Sequence, residues 1–199
     1  MHPHPAFHWQ DRDAMRAFVR DKAFGALFAS TPDGPRVAHI PVTWDGDDRV
    51  TFHLSRSNAI APHLDGATAL LVVHGPDAYV SPDWYDEGPA QVPTWNYVAV
   101  ELEGRISALS HDALVAQIDA LAAEHEARLL PKPVWTRAKM EADRFDKMTR
   151  AIQGFALDVT AWRGTRKLAQ TKSPAARLAA ADGLAARGDR ELARWMRDA

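Results

Sequence analysis

Three stretches of this 199-residue chain concentrate side chains able to hold an anionic or aromatic ligand. The first is His53-Leu54-Ser55-Arg56-Ser57-Asn58, where a predicted strand ends and a short predicted helix begins. Two hydroxyls, a guanidinium and the N–H groups of a helix start make a phosphate cradle. The same residues also make an ordinary N-cap beside a surface arginine. The second stretch runs from Tyr79 to Tyr97 and contains a connection longer than is usual between strands, a length that often accompanies function. Trp84, Tyr85, Trp95 and Tyr97 supply flat contact area with polar tips, and the Asn96 amide both donates and accepts. These rings serve equally well to seal the mouth of a barrel. The third stretch is Lys167-Leu168-Ala169-Gln170-Thr171-Lys172. Its two ammonium groups and its amide can reach an anion or form a solvated connector.

Other chemistries are excluded by what the sequence lacks. There is no cysteine, which removes disulfides, thiolate-bound zinc, iron–sulfur clusters and thiol nucleophiles. No phosphate-binding P-loop or dinucleotide fingerprint can be written, and no serine sits in a nucleophile elbow. His2, His4 and His8 lie near a terminus, His111 and His125 are far apart, and His39, His53, His63 and His74 are scattered among strand ends. No metal site is expected from that spacing. Asp86 and Glu87 are adjacent in a loop and carry no mark of an acid/base pair.

The elements that must position these residues can be read from periodicity. Ala14 to Phe24 is predicted as a helix, capped by Asp11 or Asp13, with Met15, Phe18 and Val19 on one face. Strands are predicted at Gly25–Ser30, Val37–Trp44, Arg49–Leu54, Ala67–His74 and Thr94–Leu109, with Ala78–Ser81 extended after a Gly75-Pro76 turn. Asn58–Leu64 is predicted as a short helix. His111–Leu129 follows as a helix with Ser110 as N-cap, then a second, interrupted helix over Trp135–Ile152 and a strand over Gly154–Trp162. The tail from Pro174 is helical, with breaks predicted at Gly183 and Gly188 and a cap at Asp189. Strands joined by tight turns, without regular helical crossovers, predict an antiparallel barrel with helices outside.

Hydrophobic residues make up 46% of the chain and charged residues 25%, enough apolar content for a packed core at this length. There is no 18-residue apolar run and no signal-peptide pattern at Met1 to Trp9, so a cytoplasmic protein without membrane association is expected. The net charge of −2 is unevenly spread: Trp162 to Ala199 holds nine Lys/Arg against four Asp/Glu. Such a tail contacts an anionic partner such as DNA, or forms the solvated face of a helix.

The motifs Tyr79-Val-Ser-Pro-Asp-Trp-Tyr85 and Val92-Pro-Thr-Trp-Asn-Tyr97, followed by Gly104, resemble the hallmark of the PaiB family, the FMN-binding negative transcriptional regulators. Phe24-Gly25, Ala38-His-Ile-Pro41, His53-Leu-Ser-Arg-Ser-Asn58 and Lys167-Leu-Ala-Gln-Thr-Lys172 stand in the family order. Ala169 and Thr171 depart from the serine and asparagine usual there, which leaves side-chain roles at those two positions open. The resemblance implies an α+β, mainly antiparallel FMN-binding split β-barrel (residues 1–172) with peripheral helices and a helical tail (residues 173–199). It implies a homodimer with FMN at the interface. Ser55, Arg56, Ser57 and Asn58 would contact the phosphate, while His39, Ile40 and Pro41 would run past the flavin ring, partly through backbone. Thr94, Trp95 and Asn96 would come from the neighbouring strand. Lys167 and Gln170 would approach from the C-terminal connector, of the same or the other subunit. Two functions follow: a regulator of transcription, with DNA contact through the basic tail, and a flavin-dependent oxidoreductase. A third reading, another planar cofactor with His39, His53 or His74 as axial ligand, ranks behind them.

Overall fold

The first helix shows how local chemistry sets the boundaries. The computed structural model describes residues 2–89 and 91–199; Met1 and Ala90, both within stretches read above, lie outside the described residues. Helix α1 (Arg12–Lys22) starts where Asp11 Oδ1 accepts the Ala14 N–H at 3.0 Å. It buries Met15, Phe18 and Val19 as their spacing predicts. It stops short of Phe24 because Ala23 turns to a φ of 49°.

Ala23 delivers the chain into strand β2 (Phe24–Thr31), which forms a hairpin with β3 (Gly34–Pro41). The predicted strand Val37–Trp44 is in fact two. Pro41 has no N–H to continue a ladder, and Val42 N instead bonds Ala23 O at 3.0 Å before β4 (Thr43–Trp44) begins. Asp45–Asp48 link β4 to β5 (Arg49–Ser55), with Asp45 N donating to Arg49 O at 2.9 Å. The helix predicted at Asn58–Leu64 is only a 3-10 turn at Ala61–His63.

Strand β6 (Thr68–Val80) runs straight through Gly75-Pro76, where a turn was predicted. Its ladder with β2 covers only Leu70 to Val72, so the missing N–H of Pro76 costs no bond there. Strands β7 (Thr94–Ala108) and β8 (Ile152–Lys167) are longer still, and a short strand β1 (His8–Trp9) pairs with β8. Among the described residues the eight strands form one sheet in the order β3-β2-β6-β7-β8-β5-β4, with β1 on β8. The terminal strand β3 packs against β5 without a ladder between them, so the sheet is an open, split barrel.

The chain divides into two compact units. One comprises Ala17–Val72 and Leu102–Trp162. Its core holds Leu27, Ile40, Leu71, Leu102 and the stacked Phe52–Phe155 pair at 5.6 Å. Each such large side chain contributes about 1.5–3 kcal/mol by leaving water. Gly104 allows β7 to cross β8, since a Cβ there would lie 2.1 Å from Asp158 O. Helix α2 (His111–Ala127) belongs to this unit, with Ser110 Oγ capping Ala113 N at 3.2 Å. The helix predicted over Trp135–Ile152 is a 3-10 turn at Arg137–Lys139 followed by α3 (Ala142–Arg150). Met140 and Glu141 between them are extended, and Ile152 already belongs to β8.

The other unit comprises Met1–Arg16, Val73–Glu101 and Arg163–Ala199. Helix α4 (Pro174–Arg187) is capped by Ser173 Oγ on Ala176 N at 3.2 Å and ends at Gly188, whose φ is 108°. It continues through Gly183 instead of breaking. A Cβ at Gly183 would lie 2.6 Å from the Trp84 indole, so this glycine makes room for a ring. Helix α5 (Arg190–Arg197) buries Leu192 and Met196. Its predicted cap, Asp189, makes no side-chain capping bond; its carboxylate takes Arg187 Nε at 2.6 Å instead. No helix among the described residues is long and apolar enough to cross a membrane.

Candidate functional site

The candidate residues fall into two groups, one in each unit. In the first unit, β5 delivers Ser55 and Arg56 into a tight turn. Ser55 Oγ lies 2.8 Å from Ser57 Oγ, and Ser55 O accepts the Asn58 N–H at 3.0 Å. Asn58 Oδ1 accepts the Ile60 N–H at 3.0 Å. The turn's N–H groups are thus largely committed, because a single 3-10 turn presents no open helix start. What remains for an anion is the hydroxyl pair and Arg56. Its Nε donates to Arg150 O at 3.0 Å, and neither Nη has an acceptor among the described residues. Arg56 borders a cavity of about 250 Å³ with Pro62 and Gln153.

On β3, alternation splits the predicted trio. His39 and Pro41 face outward, while Ile40 is fully buried in the core and offers only its backbone. The His39 ring lies parallel to Phe24, centroids 6.4 Å apart and planes within 12°. Phe24 is 55% exposed, and Phe28 and Val37, paired across the β2–β3 hairpin, are exposed beside it. This open apolar face was not singled out from sequence. Its signal was there: Phe24 and Phe28 sit at even spacing opposite the buried Leu27.

The second group lies in the other unit. Lys167 Nζ donates to Thr94 Oγ1 at 2.5 Å. Burial holds this ammonium below its ordinary pKa. Trp95 points away from Thr94 and Asn96, as alternation along β7 requires. It is 53% exposed, donates through Nε1 to Asp77 at 2.8 Å and meets the Tyr79 ring edge-on at 6.4 Å. Asn96 is buried: its amide nitrogen faces Met196 Sδ at 3.4 Å, and its Oδ1 has no donor among the described residues. Gln170 is committed to its own turn, accepting from Leu168 N at 2.8 Å and donating to Arg166 O at 2.6 Å around Ala169, whose φ is 64°.

Lys172 does not join Lys167. It straps the aromatic loop, lying 4.9 Å over the Tyr85 ring, donating to Gln91 and pairing with Glu87 at 3.6 Å. Hydrogen bonds from Ser173, with the Lys172 charge, hold the Glu87 carboxyl below its ordinary range. Sequence reading missed this strap because its partners are distant in the chain.

FMN would bring a phosphate dianion, a flat ring and a pyrimidine edge. Arg56 with the Ser55–Ser57 hydroxyls suits the first. The open Phe24–His39 pair offers flat surface for a ring. The donor set is thus compatible with the cofactor.

Comparison with known proteins agrees. The family model described as "Putative FMN-binding domain" matches residues 1–161. A curated relative, "Protease synthase and sporulation protein PAI 2" of Bacillus subtilis (strain 168), is 27% identical over 160 residues, covering 78% of this chain and 75% of the relative. The fold is similar to that of the FAD and heme binding protein from Mycobacterium smegmatis, with a TM-score of 0.61, 18% identity and coverage of 80% of this chain and 73% of that one. It is also similar to the flavocytochrome Anf3 from Azotobacter vinelandii, with a TM-score of 0.59, 18% identity and coverage of 83% and 72%. Taken with the motifs, the match over most of its length shows that the chain belongs to the FMN-binding domain family of PaiB.

Proposed function

We propose that this FMN-binding chain works as a homodimer and as a negative regulator of transcription. The observation that carries the phosphate assignment is Arg56. Its guanidinium has no carboxylate partner among the described residues and stands next in the chain to two paired hydroxyls. Ser55, Arg56 and Ser57 hold the phosphate, with Asn58 shaping the turn; Lys167, held by Thr94, approaches FMN at the dimer interface from the C-terminal connector. His39 and Pro41 flank the ring, with Ile40 contributing backbone alone. Trp95 supplies an aromatic edge, and Asn96 and Gln170 hold local structure. When bound, FMN supplies reversible electron transfer. The exposed face of Phe24, Phe28 and Val37 supports a second copy as its cover.

The regulatory reading is supported by the name of the Bacillus relative, which concerns protease synthesis and sporulation. Arg187 and Arg197 of the basic tail are already paired with Asp189 and Asp182, so direct DNA contact would fall to Arg190 and Arg194. The test is a gel shift with fragments from the protein's own upstream region at low and raised salt. Binding that weakens with salt and is lost in the Arg190→Gln/Arg194→Gln variant supports direct contact; no shift at low salt contradicts it. Sedimentation tests the dimer: a monomer at micromolar concentration contradicts it, as does a Phe28→Glu variant that remains dimeric.

The second reading is a flavin-dependent oxidoreductase. The exposed Trp95–Tyr79 edge favours it, since a second flat molecule can stack there. Steady oxidation of NAD(P)H by the FMN-loaded protein with an added acceptor would support this reading.

A further inference from the structure

A cavity of about 250 Å³ lies between α2 and the β4–β5 hairpin, within one unit and apart from the groups assigned to FMN. Three of its lining residues, Thr43, Thr51 and Gln117, are polar and more than nine-tenths buried. Buried polar groups normally find at least one hydrogen-bond partner, and each of these does, but with bonding capacity left over. Gln117 accepts His53 Nδ1 through Oε1 at 2.8 Å and donates one N–H to Thr43 Oγ1 at 3.0 Å. Its second N–H has no acceptor among the described residues, and neither has the Thr43 hydroxyl proton. Thr51 Oγ1 donates to Thr43 O at 3.3 Å and keeps its lone pairs open. The polar floor therefore has two donors and one acceptor to spare.

The walls are of another kind. Trp44 lies against the cavity and is held by a parallel stack on Trp162, centroids 5.4 Å apart and planes within 1°. Ala113 and its small neighbours on α2 leave the space that a larger side chain would fill. The one carboxylate at the cavity, Asp45, is 66% exposed and shares Arg49 with Asp158, which pairs at 2.8 Å, so its charge sits in solvent and the buried lining carries none. A flat apolar wall, a donor-and-acceptor floor and an uncharged buried lining suit one ligand chemistry.

We propose that this cavity binds a small, uncharged, planar molecule carrying both a hydrogen-bond donor and an acceptor, of the aromatic-amide class. The occupant reaches His53 through Gln117, and His53 stands two residues before Ser55 on the same strand. The assignment does not depend on the flavin reading.

The test titrates benzamide into the ¹⁵N-labelled full chain, with and without FMN. The expected result is saturable amide shifts centred on Thr43, Thr51 and the Gln117 side chain in both states. Benzoate, of the same shape but charged, and toluene, without polar atoms, should each bind at least about tenfold more weakly. Ala113→Leu fills the space and should remove the shifts. Should that variant fail to fold, Gln117→Leu serves in its place, with toluene gaining on benzamide. The assignment is overturned if benzamide causes no saturable shift at millimolar concentration. It is overturned equally by shifts centred elsewhere, or by toluene or benzoate matching benzamide in the wild-type chain.

Discussion

The Trp84 indole occupies the place that a side chain on Gly183 would need, with Cδ2 2.6 Å from that Cβ position. An exposed helix normally gains from replacing Gly by Ala by about 0.8–1.0 kcal/mol. Here the sign should reverse. Gly183→Ala is expected to destabilise the chain by about 1–3 kcal/mol through overpacking against the ring. Urea unfolding of Gly183→Ala in the wild-type and in the Trp84→Ala background checks this: without the ring, the substitution should cost little.

The strap on the aromatic loop has a pH signature. Glu87 is held below its ordinary pKa by hydrogen bonds from Ser173 and by the Lys172 charge. A depressed carboxyl adds stability above its unfolded pKa and loses it as pH falls through the folded value. Hydrogen exchange in residues 82–89 should therefore be slow at neutral pH and quicken below the ordinary carboxylate range. Glu87→Gln should exchange fast at neutral pH and show little further change on acidification.

Lys167 behaves in the opposite sense. Burial lowers its pKa, so the folded chain disfavours the ammonium. Without ligand, its penalty is present below the lowered folded pKa and is relieved as pH rises toward the unfolded value of 10.5. Bound FMN, which is anionic, reverses that preference. FMN affinity should fall as pH rises through the lowered Lys167 pKa, while Lys167→Met should bind FMN weakly with a flatter pH profile. Fluorescence titration across the alkaline range measures both.

Much of this was legible because neighbouring residues decide it. Met15, Phe18 and Val19 mark the buried face of α1, and Ser110 and Ser173 mark two helix starts. Boundaries failed where distant partners intervene. Gly75-Pro76 reads as a turn but lies inside β6, beyond its ladder with β2. Asp189 reads as a cap but is taken by Arg187. Within the candidate site, motif order pointed to Arg56 and Lys167, whereas strand alternation divides Ile40 from His39 and Trp95 from Thr94. Gln117 stayed hidden because a glutamine between Leu114 and Leu121 reads as a solvated position. Its burial depends on Thr43 and His53, which reach it from other strands.

Arg56 and the Ser55–Ser57 hydroxyls are proposed to hold the FMN phosphate. Equilibrium titration of apoprotein with FMN, and with riboflavin, which lacks the phosphate, tests it most directly. Micromolar or tighter FMN binding is expected. Arg56→Ala should cost about 1.5–3 kcal/mol, roughly ten- to a hundredfold in Kd, with riboflavin affinity unchanged. Equal weakening of FMN and riboflavin, or FMN affinity untouched by Arg56→Ala, would contradict it.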